Sequence, residues 1–488
     1  MRPTTTRLIV GALASLLGAC TLEPGYHRPD SPVPPPTGAA AGGVVAADIG
    51  WREFFVDPQL QQLIALALAD NRDLRVAALN VQSAQAHYRI QRAELFPAID
   101  ATAVEQVDRF PAGAFGSLLS GGATGSGASG GTTVRFFDVG IGFTSYELDL
   151  FGRVQSLNHV ALQQYFSSGE TRRSVQLTLV AEVASAYLTM LTDQTLLDIT
   201  RDTLKNQNES YVLAKQLFEA GTTTELALRQ AASTVDAARA NVAQYNRRLA
   251  EDRDALQLLL GAPVPDNIEL SGGLDRGPLV ADFNASISSD VLVRRPDVLA
   301  AEHQLQAANA EIGAARAAFF PAISLTGSFG TASSQLSGLF QGDSRIWTFS
   351  PQISVPIFAG GANVANLQAT KLARDTAVAQ YEKAIQSAFR EVGDALASRS
   401  TLAEQLQAQQ ALVSNSAQAY RLADMRFRGG VDNYLSTLDA QRALYSAQQQ
   451  LQGVRLLQLQ NLITLYKALG GGLLEHGSAT QAALAPSI

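Results

Sequence analysis

The sequence predicts an α+β membrane protein: four short strands set among very long helices, with the whole arrangement written twice along one chain. Three observations carry that reading. Proline costs a helix interior about 3 kcal/mol, and it is missing between Gly152 and Ala262 and again between Ile357 and Ala485. Segments of two-residue periodicity lie beside those stretches. The chain also repeats itself, since "RAELFPAI" at 92–99 returns as "RAAFFPAI" at 316–323.

The helical reading rests on composition as well as on missing proline. Of the 488 residues, 46% are hydrophobic but only 7% aromatic, so the apolar mass is Ala, Leu and Val, which build helices. Both proline-free stretches are rich in Ala, Leu, Gln and Arg. In the second, Ala440, Leu444, Ala447, Leu451 and Val454, then Leu462, Tyr466 and Leu469, recur at spacings of three and four, a coiled-coil-like seam. An unbroken helix from Arg153 to Ala220 would run on the order of 100 Å. A chain of this length exceeds one compact core. No apolar run of about 20 residues follows the first 20, so no later transmembrane helix is expected.

The strands follow from alternation. In "RFFDVGIGFTSYELDL", Phe137, Val139, Ile141 and Phe143 share one face, with Asp138, Gly140, Gly142 and Thr144 on the other. "ISLTGSFGT" sets Ile323, Leu325 and Phe329 against Ser324, Thr326, Ser328 and Gly330. "WTFSPQISVPI" sets Trp347, Phe349, Ile353, Val355 and Ile357 against Thr348, Ser350, Gln352 and Ser354. Ala98 to Asp108 alternates poorly and is read as a strand because its repeat partner is one. Lengths of about 10 residues with one apolar and one small, polar face suit outer-membrane barrel strands, as they would a soluble sandwich wet on one side. Residues 111–133 join the first pair as a glycine-rich loop, and "QLSGLFQGDSR" joins the second.

The first residues set the compartment. Arg2 and Arg7 precede the short apolar run "LIVGALASLL", and Leu17-Gly18-Ala19-Cys20 follows. The segment resembles a bacterial lipoprotein signal, which implies lipidation at Cys20. Thr21 stands where an aspartate would favour inner-membrane retention, so the resemblance implies the outer membrane. Cys20 is the single cysteine, which rules out an internal disulfide.

Two registers describe the repeat. Asn71–Ile99 and Arg295–Ile323 share 11 of 29 residues, ending in Phe-Pro-Ala-Ile. A second register, offset by 209, pairs "LAKQLFEAGTTTEL" with "LADMRFRGGVDNYL", matching Phe218 with Phe427, Gly221 with Gly430 and Leu226 with Leu435. Each Phe-Pro marks a helix that must stop, because proline disfavours helix in the residue before it. Four strands cannot close a barrel in lipid, where open edges are not tolerated. Eight is about the smallest number seen, so several chains must contribute, and three would supply about 12.

Catalytic chemistry is not expected. His27, His87, His159, His303 and His476 are scattered without ligand spacing, so no metal site is read. The glycine-rich loop lacks a following Gly-Lys-Ser/Thr, and "GSLLSGG" is no nucleophile elbow. A net charge of −7 without a basic cluster argues against nucleic acid. No cofactor is expected.

"WREFFVDPQLQQLIALALADNRDL" (51–74), "RRPDVLAAEHQL" (294–305), both Phe-Pro sites, "FAGGANVANLQATK" (358–371) and "NYLSTLDAQRALYSAQQQL" (433–451) together resemble the outer-membrane efflux proteins, the TolC-like family, in its lipoprotein branch. The resemblance implies a homotrimer: a 12-stranded outer-membrane barrel continued by a periplasmic tunnel of 12 long helices. It implies a passive duct in a tripartite exporter of drugs or metabolites, partnered by a periplasmic adaptor and a proton-driven inner-membrane pump. A type I secretion duct and a non-conducting coiled-coil lipoprotein are the alternatives. The expected organisation is a signal at 1–19, a lipidated extended tether at 20–50, repeats at 51–282 and 283–470, and a flexible tail at 471–488. Gly221 and Gly430 suit the left-handed backbone of a helix reversal, and by family likeness Gly221, Thr222, Gly430 and Val431 form the tips that meet the adaptor. Asp439 and Arg442, at i and i+3 on one helix, match the family's periplasmic gate. Ala227 stands where the family often has an aspartate, with Glu225 the nearest acid.

Overall fold

The computed structural model describes residues 21–33, 46–111, 132–270, 272–275, 280–281 and 293–477. A single turn at Trp51–Phe54 leads to helices α1 (Pro58–Asp70) and α2 (Arg72–Ala93), strands β1 (Asp100–Phe110) and β2 (Thr132–Leu148), and helices α3 (Arg153–Glu219) and α4 (Glu225–Leu260). The second half repeats the order with α5 (Pro296–Ala317), β3 (Ala322–Ser333), β4 (Arg345–Ser354), α6 (Ala362–Arg428) and α7 (Tyr434–Ala468). α3 and α6 are each 67 residues long, about 100 Å at 1.5 Å per residue. Helix starts and stops are local. Asp149 accepts from the backbone N–H groups of Arg153 (2.7 Å) and Gln155 (2.8 Å), filling orphan donors at the start of α3. Phe96 and Phe320 each donate to the carbonyl three residues earlier, Ala93 and Ala317, at 3.0 Å, tightening the last turn before proline.

The chain forms two compact units. One gathers the described residues of Met1–Arg28, Ser83–Tyr165 and His303–Val378 and holds the sheet; the other gathers Pro29–Gln82, Phe166–Glu302 and Ala379–Ile488. In the sheet unit, the strand order is β1-β2-β3-β4, all antiparallel. The register puts Ala101, Ile141, Phe329 and Trp347 in one row, and Ile323 opposite Ile353. Directly paired residues share a face, so the apolar positions of three separate segments meet on one side. Asp100, Thr102, Asp138, Gly140, Ser328, Thr348 and Ser350 lie on the other, where Val104, Phe110, Val134, Phe136 and Ile346 are the large apolar exceptions. A bulge between Phe143 and Tyr146, with Ser145 at φ 54°, keeps Tyr146 and Leu148 on the apolar side. β1 and β4 are open edges within the chain.

In the helical unit, Trp51, Phe54, Phe55 and Tyr466 are buried together. Phe54 stacks on Tyr466 at 3.8 Å, and the Tyr466 hydroxyl donates to the Ile49 carbonyl at 2.7 Å. Burial pushes that phenol well above its ordinary pKa, as expected when the charged form loses water.

Several expectations change. β1 is Asp100–Phe110 rather than 98–108, and β4 stops at Ser354, so Val355 and Ile357 lie past its end, ahead of the turn at Gly360 and Gly361 that opens α6. On α7, Ala447, Leu451, Val454, Tyr466 and Leu469 are buried as the seam requires, but Ile463 and Leu465 are buried in place of Leu462. α3 does contain an 18-residue window of mean hydropathy 1.3, the composition of a membrane span, yet 56% of it is buried inside the protein. Packing against its own chain explains that apolarity. The tail read as flexible from 471 is held as far as Gly477: the Trp51 N–H donates to the Leu474 carbonyl, Arg52 pairs with Glu475 at 2.7 Å, and the Gly477 N–H reaches Glu53. The tether, too, is docked at residues 22–24. Asn309 donates to the Pro24 carbonyl (2.7 Å), Arg316 to the Leu22 carbonyl (3.0 Å), and His159 meets Glu23. Segments without helix or strand can still be fixed when polar side chains satisfy their backbone.

Candidate functional site

The offset of 209 reappears in the hydrogen bonds of the two helix reversals. At the end of α3, Gly221 N–H donates to Phe218 and Thr222 N–H to Leu217, both at 2.9 Å; at the end of α6, Gly430 N–H donates to Phe427 and Val431 N–H to Arg426, again at 2.9 Å. Gly221 and Gly430 hold φ of 73° and 71°, the left-handed conformation that a side chain would strain. Thr224 and Asn433 then cap α4 and α7, each accepting from the N–H three residues on at 3.3 Å. The second reversal is also clamped. Arg426 grips Asp432 through two bonds, 2.6 and 3.0 Å, which holds the Asp432 carboxyl below its ordinary pKa. At the first, the Thr222 hydroxyl donates to the Leu217 carbonyl instead.

The two reversals pack together. Ala214, Ala231, Tyr434 and Leu438 are buried against Tyr211 and Phe427. Above them lies a groove of about 610 Å³ lined by Leu217, Thr222, Leu226, Phe427, Tyr434 and Leu435. Leu226 and Val431 are 67% and 66% exposed, so the tips present apolar surface.

Asp439 and Arg442 lie one and two turns further along α7. Tyr434, Leu438 and Gln441 turn into the chain, whereas Leu435, Asp439 and Arg442 form an exposed stripe. Among the described residues, neither Asp439 nor Arg442 makes an ion pair or a side-chain hydrogen bond, so the intrahelical pair that their spacing permits is not formed. In the first repeat, Glu225 is engaged by Arg229 at 3.1 Å on the same helix, and Ala227 faces the tip groove. Cys20 lies outside the described residues, as do the signal and residues 112–131 and 478–488.

Two constellations escaped the sequence reading because their members are far apart in the chain. Gln163 bridges His159 (2.9 Å) and His303 (2.8 Å), and His159 contacts both oxygens of Glu23, whose carboxylate raises the imidazole pKa. Asp193 on α3 and Asp252 on α4 form the second: burial, then the neighbouring carboxylate, pushes Asp252 up to about 6. Only the four-residue spacing of His159 and Gln163 hinted at either.

A four-stranded sheet with one lipid-compatible face and two open edges, carried with helices of about 100 Å, is a subunit of a membrane channel whose barrel closes between chains. The family model for outer membrane efflux proteins matches residues 63–262 and 287–471. The chain is 48% identical over 488 residues to the toluene efflux pump outer membrane protein TtgC of Pseudomonas putida, covering 98% of each. It is 44% identical to the outer membrane protein OprJ of Pseudomonas aeruginosa, covering 94% of each. The open-state MtrE outer membrane channel of Neisseria gonorrhoeae superposes with a TM-score of 0.84 at 38% identity, over 94% of this chain and 100% of that one. The chain belongs to the outer membrane efflux protein family. It is an outer-membrane efflux channel, a trimeric barrel of about 12 strands continued by a periplasmic helical tunnel.

Proposed function

We propose that this chain is the exit duct of a tripartite pump for small apolar compounds, with a periplasmic adaptor seated on its helix tips and a proton-driven pump in the inner membrane. The names of its relatives, which speak of toluene, solvents and antibiotics, support that substrate class. The groove and the exposed Leu226, Val431 and Leu435 support the tips as the adaptor's seat. Transport through it is passive, without a catalytic step. Cys20 carries the lipid, an assignment supported by the docked strap: Leu22 and Pro24 are tied to Arg316 and Asn309, near the end of α5 where the barrel begins.

The observation that carries the gate is the unpaired stripe on α7. Asp439 and Arg442 make no ion pair or side-chain hydrogen bond in their own chain among the described residues, so the charges are available to neighbouring chains or to the lumen. Three Asp439 carboxylates around one axis would attract cations and repel anions. The polar face of the sheet reinforces this with Asp100, Asp108 and Asp138.

Single-channel recording tests the gate. At low ionic strength, where screening is weakest, wild type conducts poorly and prefers cations. Asp439→Ala shows a several-fold fall in that preference, and Arg442→Ala opens more readily through loss of a charge-assisted contact between helices. Unchanged selectivity and conductance in both variants removes the assignment.

A further inference from the structure

The apolar face of the sheet does not stay apolar to its end. β1 and β2 join at one end, as do β3 and β4, and the helices leave from the other; the joined end is therefore the extracellular one. Toward that end, Arg345 lies opposite Thr331, Thr331 opposite Val139, and Val139 opposite Ala103, all on the lipid-facing side. Arg135 and Arg109 lie on the same side, opposite Val107 and Thr133. The one acid among them is Glu105, opposite Phe137, which leaves an excess of two positive charges per chain (three arginines less one glutamate) on the lipid face. All three arginines are exposed, and none makes an ion pair among the described residues. The polar face is the opposite, with Asp100, Asp108 and Asp138. Charge is thus segregated across a sheet one residue thick.

Beside Arg345 lies a groove of about 490 Å³. It is lined by the small Ala101 and Ala103, the large Ile141 and Phe329, Phe340 from the β3–β4 connection, and Arg345. Small residues between large ones leave a slot for a hydrocarbon chain, and a guanidinium at its edge suits a phosphate, which it can grip through two parallel N–H donors. Barrel closure pairs the edges of the sheet and leaves this face toward lipid.

We propose that this groove, with Arg345 at its edge and Arg135 further out on the same face, forms a binding site for a phosphate-bearing lipid of the outer leaflet: one acyl chain lies in the slot, and the headgroup phosphate meets the Arg345 guanidinium. A basic cluster at headgroup depth beside an acyl-sized groove is the general form of an anionic-lipid site. Arg109, further out on the same face, extends the site toward a second phosphate. With one site per chain, a trimer binds three such lipids.

Native mass measurement of the detergent-extracted trimer tests this, with diphosphorylated lipid A as the probe. Monophosphorylated lipid A, an uncharged lipid of equal chain length and inorganic phosphate are the controls. Up to three lipids are expected per trimer, with the diphosphorylated form bound most tightly. Arg135→Ala combined with Arg345→Ala should weaken binding about tenfold or more, while the mass still reports a trimer. Ala103→Leu, which fills the slot and leaves every charge in place, should also weaken it. Equal binding of the uncharged lipid, displacement by inorganic phosphate alone, or unaltered binding by both variants would overturn the proposal.

Discussion

Among the described carboxylates, Asp252 is held far above its ordinary pKa. It sits on α4 beside Asp193 of α3, whose side chain is only 12% exposed and whose nearest cation, Arg248, is 3.9 Å away. Its Oδ2 is buried without a hydrogen-bond partner among the described residues. Burial and the Asp193 charge together favour the protonated form, lifting Asp252 from 3.8 to about 6, and burial raises Asp193 as well. A carboxyl whose folded pKa lies above its unfolded value contributes stability that is full below the unfolded pKa and lost as pH rises through the folded one. The apparent melting temperature of wild type should therefore fall between about pH 4 and 6.5, by an amount equivalent to about 1 kcal/mol after allowance for solvent screening at a half-buried group. Asp252→Asn keeps the shape, removes the charge and should flatten that slope; a wild-type slope that persists in the variant refutes the pair. Nothing in the sequence around Asp193 or Asp252 sets either apart. Only the packing of α3 on α4 sets them face to face.

At the scale of elements, one side chain joins three helices. Arg295 precedes Pro296, and its own carbonyl accepts the first hydrogen bond of α5, from Leu299. Its guanidinium grips Asp297 through two bonds (3.0 and 2.8 Å), reaches Glu391 on α6 at 2.8 Å, and donates to the Ala468 carbonyl at the end of α7 at 3.0 Å. It is 7% exposed, while Asp297 and Glu391 keep contact with water at 40% and 43%. Removing the cation leaves two acids and a helix-end carbonyl facing one another. Arg295→Ala should therefore cost about 2–4 kcal/mol, below the range for a wholly buried pair because its partners are half solvated. Arg295→Lys should recover part of this, since one ammonium cannot serve three helices through a planar fork. Thermal unfolding of both variants checks the order, and a tolerated Arg295→Ala refutes the staple. The start of α5 is set locally, by proline at the first helical position and an aspartate after it. Which helices Arg295 would tie depended on residues about 100 and 170 positions away, and nothing local encodes that.

The whole molecule is completed outside the single chain. β1 and β4 expose their backbone at both edges, which hydrocarbon does not tolerate, so the sheet is finished only when three chains close it. The N-terminal strap runs beside α5, from Pro24 near Asn309 to Leu22 near Arg316, toward the start of β3. A lipid on Cys20 would then enter the bilayer beside the barrel it belongs to. Cys20→Ser should abolish metabolic labelling by palmitate and stall signal processing, while the barrel keeps a share of the protein in the membrane. Labelled lipid persisting on the variant would refute the assignment.

The sequence by itself determined the elements and their doubling. Missing proline set the extent of α3 and α6, two-residue alternation set the faces of β2, β3 and β4, and Phe-Pro and glycine set the boundaries, because each acts through the backbone of a few adjacent residues. β1 was legible only through its repeat partner, since Glu105 and Arg109 on its apolar side blur the alternation. Tertiary structure alone decided the rest. It turned Asp439 and Arg442 outward without pairing them, drew His159 and His303 onto Gln163, tied the strap and tail down, and set Arg345 beside a groove built from three other segments. These outcomes depend on which distant surfaces meet, and contact between distant segments is fixed by the packing of the whole chain rather than by any local preference.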